Sequence, residues 1–169
     1  MRLRVLVLFG LTVMLSGCGY RLASRKGDVG NGQTMAVPTF VNSTYTYRIE
    51  QRMSESVRKE LARRTHYKVT SADTGDVVLK GEVLSYNTAP TVFDPSGRAA
   101  QYALGLNMKV SITESATGKV LFENGSMNFR ETFQLSQNAG DFAPEDPAAV
   151  DRLAASFASA VVASLVHRQ

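Results

Sequence analysis

The sequence is poor in the residue types from which most chemical sites are built. It holds a single cysteine, Cys18, in 169 residues. That excludes an internal disulfide and any cysteine-based zinc site. Its two histidines, His66 and His167, leave little for catalysis or metal binding. Gly-x-Ser-x-Gly, His-Glu-x-x-His, a P-loop and carboxylates at metal-ligand spacing are all missing, so neither an enzyme nor a cofactor-binding protein is expected. Dense basic runs are also missing. The 19 Lys+Arg stand against 15 Asp+Glu, a formal charge of +4, which argues against a nucleic-acid binder.

What is present is the composition of a folded body. Hydrophobic residues make up 44% and charged residues 20%, far from the disordered regime. The length suits one domain. Such a domain hides roughly 70% of its unfolded surface and needs no covalent staples.

The N-terminus sets the expected compartment. Arg2 and Arg4 precede an apolar stretch from Val5 to Leu15. A bilayer span needs about 20 residues, so this shorter stretch reads as a signal peptide over 1–17 and not as an anchor. Leu15-Ser16-Gly17-Cys18 then forms a lipobox, with cleavage expected between Gly17 and Cys18 and lipid attachment at Cys18. Two or three acyl chains hold a protein to a membrane firmly, at about 0.8 kcal/mol per buried methylene. Gly19 stands where enterobacterial inner-membrane lipoproteins typically carry Asp, which favours the outer membrane. Loss of the signal removes two arginines, so any basic function of the mature chain must be local.

Residues 18–33 read as a lipidated, glycine-rich tether, and 34–169 as a single α/β domain. Gly27, Gly30 and Gly32 lack the spacing and the strand–helix context of a phosphate loop. Thr34 to Asn42 is β-rich, and Pro38 makes it an edge or bulged strand. Asn42-Ser43-Thr44 supplies turn and cap residues. Ile49, Met53, Val57 and Leu61 form one helical stripe within Tyr47 to Arg64. Strands follow at Tyr67–Thr70, Asp76–Asn87 and Gln101–Thr113, with Ala89 to Arg98 as a loop between the last two. The third alternates most cleanly. A turn at Ala116–Lys119 leads to a last strand reaching about Leu135. Its apolar parity changes from Val120 and Phe122 to Met127, Phe129 and Phe133, which requires an inserted residue near Asn124-Gly125. Asp146 and Pro147 then open a helix with an apolar face from Val150 to Leu165.

The expected fold is therefore α+β. Two amphipathic helices pack on one face of a mostly antiparallel four- to five-stranded sheet, in the order β-α-β-β-β-β-α. The other face would present Lys80, Glu82, Asn107, Lys109 and Arg130.

Cys18-Gly19-Tyr20-Arg21-Leu22 resembles the start of the LPS-assembly lipoprotein family, LptE. The resemblance continues through Val37-Pro38-Thr39-Phe40-Val41-Asn42-Ser43-Thr44 and Ile49-Glu50-Gln51. It extends over Val78-Leu79-Lys80-Gly81-Glu82-Val83 and Thr117-Gly118-Lys119-Val120-Leu121. It implies an outer-membrane lipoprotein, anchored on the periplasmic face. It further implies that the protein plugs and helps assemble an LptD β-barrel, and binds lipopolysaccharide during its insertion into the outer leaflet. Neither catalysis nor a nucleic-acid partner is implied.

An anionic glycolipid head calls for cations on a rigid support. Lys80, Lys109 and Arg130 on the expected open face, and Arg98 in the long loop, are the candidates. Each could equally be a solvated strand charge or a contact to a barrel wall. Two other classes fit an outer-membrane lipoprotein with a small α/β domain. One is a regulator of a peptidoglycan synthase; the other is an auxiliary lipoprotein of a transporter.

Overall fold

A computed structural model describes residues 30–134 and 146–166. Eight elements appear in chain order: β1 (Thr34–Ala36), β2 (Val41–Asn42), α1 (Ile49–Arg64), β3 (Lys68–Thr70), β4 (Val77–Phe93), β5 (Ala99–Glu114), β6 (Val120–Gln134) and α2 (Pro147–Val166). The sheet has the order β3-β1-β4-β5-β6, with β2 also paired to β4. The long strands β4, β5 and β6 form an antiparallel meander. The short strands β1, β2 and β3 pair in parallel at one side.

The α+β architecture, with both helices on one face, is the expected one. The sheet nevertheless has six strands where four to five were expected. Pro38 is the reason. It lacks an N–H and sits in the gap between β1 and β2, so one expected strand becomes two. The N-terminal strand is also no edge: β1 lies between β3 and β4. Both short strands lie along β4, with Met35 opposite Val77 and Val41 opposite Glu82.

A second difference lies at the β4–β5 hairpin. The expected loop from Ala89 to Arg98 contracts to Asp94–Arg98, because β4 runs on to Phe93. Pro90 is tolerated there. Among the described residues no second strand pairs with β4 beyond Val83, and register shifts flank Val92. The parity switch in β6 falls close to where the pattern required it. Met108 faces Met127 and Val110 faces Asn124, so β6 carries the surplus residue around Gly125-Ser126.

The helices form as their patterns dictate. Ile49, Met53, Val57 and Leu61 of α1 are all buried. Its start is not capped by a side chain: Arg48 takes a left-handed conformation with φ 58°. Asn42 latches the entry instead, its amide donating to the Thr46 carbonyl (2.9 Å) and to Glu50 Oε2 (2.8 Å). In α2, Asp146 Oδ1 accepts from the Ala148 amide at 3.0 Å, and Pro147 opens the helix. By length and composition α2 could cross a membrane, with a mean hydropathy of 1.5. Its apolar residues are spent on the core, where Leu153, Phe157, Val161 and Leu165 are buried. Phe157 meets Phe40 and Phe129 edge-on, with centroids 6.2 and 5.5 Å apart.

The open face of the sheet

Cross-strand register decides which side chains share the face away from the helices, because directly opposed residues point the same way. Glu82 lies opposite Lys109, and Lys80 opposite Ser111. Gly105 lies opposite Arg130, and Asn107 opposite Asn128. The core residues Leu104, Leu106, Met108 and Val110 alternate with these positions along β5. Lys80, Lys109 and Arg130 therefore do share the open face.

They do not form one cluster. Lys80 and Lys109 are diagonal neighbours, whereas Arg130 stands at Gly105, four residues further along β5 and about 13 Å away. Among the described residues none of the three makes an ion pair within 4.0 Å. Even Glu82 is engaged elsewhere, accepting from Ser43 Oγ at 2.7 Å.

Arg98 belongs to a different place. It closes the hairpin turn, about 33 Å along β5 from Lys109. Asp94 organises that turn. Its Oδ1 accepts from Ser96 Oγ (2.6 Å) and from the amides of Ser96 and Arg98 (2.9 Å each), and its Oδ2 from Arg98 Nε (3.2 Å). The Ser96 hydroxyl, followed by the Arg98 amide, holds the Asp94 carboxyl down to about 2. Val92 and Phe93 are exposed beside this turn.

Two of the concavities on the described surface bear on the site. One, of about 670 Å³, lies at the start of α1 between Tyr47, Arg48, Arg52 and Val150. There the Arg48 guanidinium stacks 4.8 Å over the Tyr47 ring, and Arg52 reaches Asp151 at 3.7 Å. The other, of about 350 Å³, lies on the open face around Asn87, Gly105, Asn128 and Arg130. Sequence reasoning placed Arg130 and Asn107 on this face but passed over Asn87, Gly105 and Asn128. A glycine within an otherwise regular strand was the available signal. Gly17 and Cys18 lie outside the described residues. Among the described residues no group of three or more His, Cys, Asp or Glu could hold a metal.

The fold recurs in proteins of very different sequence. A protein of Caulobacter crescentus CB15 classed as a lipoprotein superposes with a TM-score of 0.53 at 14% identity, covering 76% of this chain and 88% of its own. PelC of Paraburkholderia phytofirmans, solved as a dodecamer, gives 0.51 at 19% identity, over 85% and 90% of the two chains. Lipoprotein B of Nitrosomonas europaea gives 0.52 at 9% identity, over 86% and 88%. At these identities they share the fold alone. No curated protein sequence matches the chain. The family described as LptE, lipopolysaccharide-assembly, matches residues 32–165. The chain belongs to the LptE family.

Proposed function

We propose that the protein is an outer-membrane lipoprotein, lipidated at Cys18 and tethered through residues 18–33. In this reading the domain from 34 onward lodges in the lumen of an LptD-like β-barrel, and helps assemble it. Its open face offers cations to lipopolysaccharide on the way to the outer leaflet. The observation that carries the reading is the family match over residues 32–165.

The physical form supports it. The lumen of a large barrel is polar, and its apolar outer band is about 25 Å tall. A meander of 15- to 17-residue strands measures about 50 Å, long enough to run through such a lumen. One of its faces is polar and uncovered, as contact with a wet wall requires. Among the described residues Lys80, Lys109 and Arg130 have no ion-pair partner on that face, which leaves them available to phosphates or carboxylates. The activity is docking and not chemistry.

The test is a pull-down from outer membranes in mild detergent with the mature lipidated protein. A heat-modifiable β-barrel in the eluate is the expected result. A peptidoglycan synthase, or an unmodified N-terminus on the exported chain by mass spectrometry, would overturn the reading.

A further inference from the structure

The open face changes character along its length. Towards the β5–β6 turn, Lys80, Glu82, Lys109 and Glu123 mix both signs of charge. Towards the β4–β5 turn, three cross-strand rows carry no acid at all. The first row is Ser85, Asn107 and Asn128; the second is Asn87, Gly105 and Arg130; the third is Ala89, Ala103 and Thr132. The central strand carries only Gly105 and the buried Ala103 here, and the Asn87 amide lies across Gly105. That relief is the 350 Å³ concavity.

We propose that this trough, with the Asn87 amide laid over Gly105 as its floor and Arg130 as a wall, binds a sugar ring bearing an anionic group. Asn87 and Arg130 stand two strand spacings apart, about 10 Å between backbones. Gly105, having no Cβ, leaves room for the Asn87 carboxamide to lie over it. The chemistry of the rim is selective. Carboxamides offer a donor and an acceptor side by side, which matches vicinal sugar hydroxyls. Arg130 is the lone charge in the three rows, and its planar fork suits a carboxylate or phosphate. Asn128 and Asn107 are linked through Ser126 Oγ, at 3.4 and 3.1 Å, which fixes one end of the trough. The site deepens the reading of the protein as a lipopolysaccharide carrier and rests on it. The part of the glycolipid it takes is its saccharide and not its acyl chains.

The experiment is calorimetric titration of the full lipidated chain in detergent. The probes are fully deacylated lipopolysaccharide, intact lipopolysaccharide, maltohexaose and inorganic phosphate. The deacylated saccharide is expected to bind, and maltohexaose and phosphate are not. Arg130→Ala should weaken the saccharide about tenfold, the worth of one hydrogen bond to a charged group. Gly105→Val, which fills the floor and evicts the Asn87 amide, should abolish it. Lys59→Ala, an exposed cation on α1 away from this face, should leave it unchanged. Gly105 is half-buried beneath Asn87, so the thermal transition of Gly105→Val is measured first; where it has moved, Asn87→Ala with Arg130→Ala decides. Equal saccharide binding by wild type and trough variants overturns the site. If intact lipopolysaccharide still binds in that case, the carrier reading survives. Phosphate competing as well as the saccharide reduces the site to an anion contact and overturns the sugar. Binding of neither glycolipid form overturns both.

Discussion

The ring of Phe40 occupies the space that a side chain on Gly81 would need. A Cβ built at Gly81 would come within 2.8 Å of the ring's Cγ. Phe40 arises from the gap between β1 and β2, so the chain interruption at Pro38 and the glycine in β4 are two halves of one fit. Gly81→Ala is expected to lower stability by about 1–3 kcal/mol through overpacking. Phe40→Ala is expected to lower it by about 3–5 kcal/mol, through the lost contacts with Phe157 and the cavity left behind. Urea unfolding checks both. If the two changes together cost as much as their sum, the fit is not shared.

The turn at the β4–β5 tip depends on the ionised form of Asp94. Its folded value is held at about 2, below the ordinary 3.8. A depressed carboxyl contributes its stabilisation above the unfolded value, and that contribution fades as pH falls from about 4 to 2. Below that window the Ser96 and Arg98 amides lose their acceptor. Side-chain NMR titration should place the Asp94 midpoint near 2 and show the Ser96 amide shifting with it. A midpoint near 4 would mean that the turn is held by something else.

Asp146 caps α2 through its contact with the Ala148 amide. Asp146→Ala should destabilise the protein by about 1 kcal/mol, whereas Asp146→Ser should recover most of that loss. Thermal unfolding of the two variants side by side measures the difference.

Lys80 and Lys109 are neighbours on the open face with no ion-pair partner among the described residues, whereas Arg98 is bound into its own turn. Reversing Lys80 and Lys109 together to Glu should reduce binding of intact lipopolysaccharide in vitro. Arg98→Glu should leave that binding unchanged and loosen only the tip. Wild-type affinity in the double reversal would remove this pair from the proposed surface.

The legible part of the fold was the part written in local period. The stripe from Ile49 to Leu61, the alternation from Leu104 to Ile112 and the cap at Asp146 each reside within one element. So does the surplus residue in β6, because a parity change in Phe122, Met127 and Phe129 has one geometric remedy. Deleting Gly125 should undo it, turning Met127, Phe129 and Phe133 to the wrong face and preventing folding. What escaped was relational. The Asn87–Gly105–Arg130 row joins three strands, and no single segment of sequence announces the register between them. The length of β4 escaped for another reason: Pro90 reads as a breaker until one knows that its strand has a free side.

Strand β1 is bonded on both flanks by strands made later, with Met35 opposite Val69 and Val77. Such remote pairings form slowly, because the loops between them must close first. The N-terminal strand of the sheet therefore has to wait for its two neighbours. In that interval its amides and carbonyls stand without their strand partners, a template open to any other unpaired edge.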